Sequence, residues 1–275
     1  MKTHFGTAGN TLSFFNSKFG KDTLNAPEWI NSIGLNAYER QMTYGARMKK
    51  EDALALGKNA KKFDVQLSVH GPYYVVLNSK KADVRGRSRT ELLKTARLGK
   101  MMGAKKIIFH PGFGDDISPI ISSLKKIEAD RPKGVFFCPE TMGKMSQSGS
   151  LGDVMEICEK TECKPCIDFG HLHARNLGSL KKEEGFRKIV IEIEDRLGKT
   201  VLKDLHCHFY PIEFGEKGEK KHRAVTEKNV FPRFEPFAEL IKEFKMHPTL
   251  ISESRDSQDI GALQMKKILG KLKYS

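Results

Sequence analysis

The stretch Lys105-Lys-Ile-Ile-Phe-His110-Pro-Gly112 is an apolar run that stops on a histidine and a Pro-Gly turn. The same arrangement recurs upstream in Gln66-Leu-Ser-Val-His70-Gly-Pro-Tyr73 and downstream in Val135-Phe-Phe-Cys-Pro-Glu140-Thr141. Extending outward from these gives eight short apolar segments, at 2–5, 33–37, 65–69, 105–109, 134–139, 164–167, 201–205 and 249–252. The last six stop on His70, His110, Glu140, Asp168, His206 and Glu253, and the second runs into another acid, Glu39. Helix-forming stretches lie between them, at about 51–62, 88–102, 117–129, 150–158 and 261–272. In one of these, Leu92, Leu93, Ala96 and Leu98 follow helical spacing, and Ser150 opens another as a start signal. Parallel strands need helical crossovers of this kind. The alternation predicts an α/β fold, a (β/α)8 TIM barrel forming a single domain over 1–275, with its polar strand ends gathered on the carboxyl-terminal face. The 275 residues are close to the roughly 250 typical of that fold.

Bulk properties narrow the function. The formal net charge is +14, with lysine pairs at Lys80-Lys81, Lys220-Lys221 and Lys266-Lys267. A field of this sign favours polyanions such as DNA, RNA or phosphorylated metabolites. No apolar run approaches the ~20 residues of a membrane span, and the first residues lack signal-peptide anatomy. Five scattered cysteines form no disulfide framework and fit a reducing compartment, although Cys163 and Cys166 make one CxxC pair. A cytoplasmic, monomeric protein with no membrane association is expected.

Imidazoles mixed with carboxylates on one rim suggest zinc, manganese or iron, because magnesium and calcium prefer all-oxygen shells. A histidine at a strand end is available for coordination, whereas one in mid-strand is usually a core residue. His171, three residues after Asp168, and His222, in a later loop, fall on the same face. His4, His173 and His247 are expected to be structural. Glu140 is the natural bridge between two cations, since a shared carboxylate offsets their repulsion. Open coordination positions around such ions could activate water and stabilise charge on a phosphoryl oxygen.

The strings Val69-His70-Gly-Pro-Tyr73, Phe109-His110-Pro-Gly112, Pro139-Glu140-Thr-Met-Gly143, Ile167-Asp168-Phe-Gly-His171, Leu205-His206 and Ser252-Glu253-Ser254 resemble the endonuclease IV family of apurinic/apyrimidinic endonucleases. The resemblance spans nearly the whole chain. It implies a (β/α)8 barrel holding zinc, two or three ions with manganese as the alternative, and cleavage of double-stranded DNA 5′ to an abasic site. It also implies ligand roles: His70, His110 and Glu140 for a first ion; Glu140, Asp168, His206 and Glu253 for a second; His171 and His222 for a third. Glu140 and Glu253 would be the catalytic carboxylates. Tyr73, Arg40 and Gln41 match positions that enter the minor groove, where an aromatic wedge stabilises a kinked duplex and an extruded nucleotide.

The chain departs from the family pattern in three places. Lys220 stands where the family has an aspartate ligand, which predicts a weakened third site unless Glu219 or Glu216 supplies the carboxylate. His208, two residues beyond His206, is a second inward-pointing imidazole that could bind metal in its place or contact substrate. Val75 and Val76 replace an asparagine expected after Tyr73. The alternative activity is a sugar isomerase or epimerase on the related xylose-isomerase-like barrel. It would need one divalent ion, held by Glu140, Asp168, His206 and Glu253.

Overall fold

A computed structural model describes residues 2–272. Eight parallel strands form one sheet, and we number them along the chain: β1 His4–Ala8, β2 Ala37–Gln41, β3 Gln66–His70, β4 Lys106–Phe109, β5 Phe136–Pro139, β6 Cys166–Asp168, β7 His206–His208 and β8 Thr249–Ser252. Each pairs with its neighbour in sequence except β5 with β6, and β1 pairs with β8. The seam between β5 and β6 is held more loosely. Glu140 bridges to Cys166, and the Lys164 and Thr141 amides donate to the Phe137 and Cys166 carbonyls. The result is a nearly closed TIM barrel.

Helices cross outside the strands and bury their apolar faces against them. Leu92, Leu93, Ala96 and Leu98 of the helix Ala82–Met102 join one continuous core with Val69 of β3 and Ile107 and Phe109 of β4. That helix ends where Gly103 adopts a left-handed conformation, φ 80°, which glycine tolerates best. Alternate strand residues face the barrel axis, and the axis is strongly polar. Gln66 Nε2 donates to Thr249 Oγ1 across it (2.7 Å), and Ser68 Oγ donates to Glu39 (2.9 Å). Among the described residues, Ile108, Cys138 and Cys166 make a small apolar cluster of their own there.

Two strands begin later than their apolar segments suggest. Residues 33–37 mostly close the helix Ala26–Ser32 and its turn, so β2 begins at Ala37 and carries Glu39, Arg40 and Gln41. Residues 201–205 lie largely in the short helix Lys199–Lys203, so β7 begins at His206. Both segments are apolar because they cover the core, not because they are extended; periodicity alone does not separate the two cases in so short a run.

Beyond β7, Ile212–Gly215 and Gly218–His222 form an antiparallel hairpin whose register shifts between Glu213 and Phe214. Lys144 bridges to Gly218, fastening the hairpin to the loop after β5.

Glycine marks the tightest contact between β1 and β2. A Cβ built on Gly6 would stand 1.9 Å from the Ala37 carbonyl oxygen, a backbone atom with nowhere to go. We predict that Gly6→Ala destabilises the barrel by about 1–3 kcal/mol or more. Gly270, in the helix Gln258–Lys271, meets nothing within 4 Å. Gly270→Ala should leave stability unchanged or raise it by up to about 1 kcal/mol. Urea unfolding of the two variants checks the contrast.

Candidate metal centre

The ends of β3, β4 and β5 converge first. His70 Nε2 lies 3.1 Å and His110 Nε2 3.3 Å from Glu140 Oε2. His70 donates its Nδ1 proton to the Gly71 carbonyl (2.8 Å), which leaves a lone pair on the Nε2 that faces the carboxylate. His171 and His222 repeat the pattern. Their Nδ1 atoms lie 2.9 Å from the Thr141 carbonyl and 3.1 Å from the Glu253 carbonyl, and their Nε2 atoms face Glu219 at 3.4 and 3.6 Å. An imidazole nitrogen this close to a carboxylate oxygen needs either a second ring proton or a cation between them. Main-chain acceptors that fix the tautomer of a ligating imidazole are typical of metal sites. The donor set therefore fits divalent ions, with nitrogen and oxygen ligands suited to zinc or manganese.

Asp168 ends β6 and caps the helix Phe169–Arg175. Its Oδ1 accepts from the His171 amide (2.7 Å) and its Oδ2 from the Tyr210 hydroxyl (2.9 Å). His208 Nδ1 lies 3.2 Å from Glu140 Oε1, 3.5 Å from Glu253 Oε1 and 3.6 Å from Asp168 Oδ2. His208, rather than His206, is thus the β7 imidazole beside this carboxylate group. The later start of β7 is the reason. His208 is level with Asp168 in β6, whereas His206 is level with Cys166 and Thr249 lower in the barrel, where it donates to Glu39 (2.8 Å).

The third group also differs from expectation. Glu219 occupies the place where an acid was missing, with donor atoms of His171, Glu219 and His222 all within 4.8 Å of one another. The register shift in the hairpin moves the inward position by one residue. Lys220 points to the other side, its Cε against Gly215, and Glu216 is exposed in the turn. The expected weakening of this site by Lys220 therefore has no structural basis. Gly143 explains the last residue of the Glu-Thr-Met-Gly string. A Cβ there would meet Glu219 at 2.8 Å and His171 at 2.9 Å, so only glycine lets the third group assemble.

Charge dominates the site. Burial opposes ionisation of Glu140, but the surrounding imidazoles of His208, His110 and His171 hold its carboxyl well below the usual range. Burial likewise opposes a charge on His171, yet Asp168, Glu140 and Glu219 lift it to about 10. Without a cation, protons on histidine keep these carboxylates together. His206 behaves oppositely: burial lowers it to about 4, so it is neutral.

The three positions expected at a DNA groove separate. Tyr73 is half exposed and stacks on His110, with ring centroids 5.0 Å apart, at the mouth of the site. Gln41 faces inward and donates to Glu39 (3.2 Å). Arg40, one residue earlier, falls on the outer side of β2 beside Tyr38, and both it and Gln41 line a surface depression with Asp22, Tyr44 and Arg47. His4, His173 and His247 lie outside the donor groups, and His173 accepts from the Leu180 amide (3.0 Å). All five cysteines are unpaired. Sequence reasoning gave no role to Tyr210, whose hydroxyl holds Asp168 and whose ring stacks on His222 at 4.0 Å. Its spacing, two residues beyond His208, was the available signal.

Comparison with known proteins agrees with this architecture. Residues 27–273 match the model of the xylose isomerase-like TIM barrel family, and the chain belongs to that family. An uncharacterized protein of Methanocaldococcus jannaschii is 30% identical over 95% of both chains. A probable endonuclease 4 of Aquifex aeolicus is 24% identical, covering 92% of this chain and 95% of its own. Among solved structures, endonuclease IV from Thermus thermophilus superposes with a TM-score of 0.71 at 15% identity, covering 98% of this chain and all of that one. A D-psicose 3-epimerase superposes with a TM-score of 0.66 at 15% identity, covering 96% and 99%. At such identity the two structures establish the fold alone.

The third group and its protons can be tested separately. Glu219→Ala should lower the zinc retained after dialysis by about one ion per chain, whereas Lys220→Asp should add none; elemental analysis of the dialysed proteins decides. Zinc uptake should also release protons, because each ion displaces those held on His171 and its neighbours. Acidification of a weakly buffered solution on titration measures it.

Proposed function

We propose that this chain is a metal-dependent endonuclease that hydrolyses the DNA phosphodiester 5′ to an abasic site. The observation that carries the reading is the extent of the donor set. The groups His70/His110/Glu140, Glu140/Asp168/His208/Glu253 and His171/Glu219/His222 adjoin one another through Glu140 and His171. A sugar isomerase needs one ion on the middle quartet and would leave five further ligating side chains without a role. Relatives named probable endonuclease 4 and the +14 charge support the same reading.

The three groups would hold two or three zinc ions, with manganese the alternative. Bound there, such ions supply Lewis acidity, acidifying water and neutralising charge on phosphoryl oxygens. The chain's own residues divide the remaining work. Glu140, Asp168, His70, His171 and His208 are buried and hold the geometry. His110, Glu219, His222 and Glu253 are partly exposed and form the face a phosphate would meet. Tyr73 presents a ring over that face, where stacking can support a nucleotide turned out of the duplex. The lysine-rich surface attracts the DNA backbone. We further infer that the protein acts as a cytoplasmic monomer.

Glu140→Gln keeps the size of the bridge and removes its charge. It should abolish nearly all incision of an abasic-site duplex and lower metal content, while circular dichroism stays that of the wild type. Wild-type turnover by this variant would exclude the proposed centre. Affinity for the duplex should fall steeply between about 50 and 200 mM salt as counterion release loses its advantage. Turnover of a ketose by a protein that binds no duplex at low salt would replace this reading with the epimerase one.

A further inference from the structure

His208 stands between two acidic layers. Above it, Nδ1 faces Glu140, Asp168 and Glu253. Below it, Nε2 lies 3.1 Å from Glu39 Oε1. Glu39 is fully buried, and four polar groups surround its carboxylate. Oε1 accepts from Gln41 Nε2 (3.2 Å) and faces His208; Oε2 accepts from Ser68 Oγ (2.9 Å) and His206 Nε2 (2.8 Å). Three of these partners hydrogen-bond to Glu39, and His208 Nε2, which also lies 3.9 Å from Cys166 Sγ, approaches it as the fourth.

A neutral imidazole has one N–H to place. With Glu39 beneath Nε2, the proton belongs there, and the Nδ1 lone pair is left for the three carboxylates above. We propose that Glu39 is a positioning residue: it fixes the tautomer and ring plane of His208 so that Nδ1 is the nitrogen donor of the quartet with Glu140, Asp168 and Glu253. His206 then braces Glu39 from the side and is not a ligand. The inference rests on the reading of this centre as a metal site, not on the DNA substrate. A carboxylate behind a ligating histidine raises its basicity and sets its orientation, and losing one weakens metal affinity by about 10–100-fold.

A competing arrangement uses the same residues. Donor atoms of Cys166, His206 and His208 lie within 4.8 Å of one another and could themselves enclose an ion. That ion would need the Nε2 lone pair of His208, and it would sit among side chains at most 1% exposed, with no opening to solvent. The shorter approach of Glu39 to Nε2, 3.1 Å against 3.9 Å for Cys166 Sγ, favours a proton on that nitrogen over an ion.

The test uses the full chain. In zinc-loaded wild type labelled with ¹⁵N-histidine, two-bond ¹H–¹⁵N spectra should show His208 protonated on Nε2, with a metal-shifted Nδ1. Glu39→Gln sets an amide NH2 against at least one histidine nitrogen and removes the charge. It should lose about one zinc per chain on dialysis, with 10–100-fold weaker binding at that site and the remaining ions retained. A proton on His208 Nδ1, or full zinc retention by Glu39→Gln at wild-type affinity, overturns the proposal. So does a thiolate-to-cobalt absorption band in the cobalt-loaded wild type that Cys166→Ser abolishes, which would make the lower cluster the ligand set. Because the wild-type spectrum decides without any variant, a Glu39→Gln protein that fails to fold leaves the test intact. A wild type that takes up no zinc instead refutes the metal centre itself, so the two failures are distinguishable.

Discussion

Glu140 is where the structure concentrates its electrostatic stress. Its two oxygens lie within about 3.3 Å of nitrogens from four histidines, on β3, just beyond β4, on β7 and on the helix after β6. Asp168 and Glu253 share some of the same imidazoles. Carboxylates this close and this buried cannot coexist as bare charges. The barrel must bring positive charge to them, either as protons on histidine or as divalent ions. The axis below is correspondingly polar, and the loops above are fastened by main-chain contacts that tolerate little displacement.

The fold was legible because eight apolar segments alternate with helix-forming stretches and most of them stop on a polar residue. Six segments coincide with strands to within a few residues. The two that do not are apolar for another reason, since they line the core from a helix or its turn. That offset mattered chemically only at β7. A strand read as ending at Leu205 puts His206 at the rim, whereas a strand beginning at His206 puts His208 there. Side-chain direction reverses at every residue but height does not, so both imidazoles point inward and only the register separates them.

The remainder of the site was hidden by the same kind of ambiguity. Glu219 lies three residues before His222, one more than the expected spacing, and nothing in the sequence announces the shift near Phe214 that brings it inward. Glu39 was visible as an acid after the second segment, but its role depends on β2 carrying it to the axis. Arg40 shows the converse, since a basic residue expected at the groove faces out of the barrel. Single letters revealed which chemistry gathers at the rim, and the distances between strands decide which letters take part.

The hairpin 212–222 has a bearing on how such barrels diversify. It packs Ile212 and Phe214 against Ala174 and Tyr210, and meets the loop after β5 at Gly218, where a Cβ would fall 2.2 Å from the Gly143 carbonyl, and at the Lys144 bridge beside it. A hairpin with a register shift can move its inward position by one residue and still present a carboxylate to the same point in space. Column-by-column comparison of two homologues would then score a ligand as lost when it has only been translated. A lysine in the expected place is therefore no evidence that the carboxylate beside His171 and His222 has been lost.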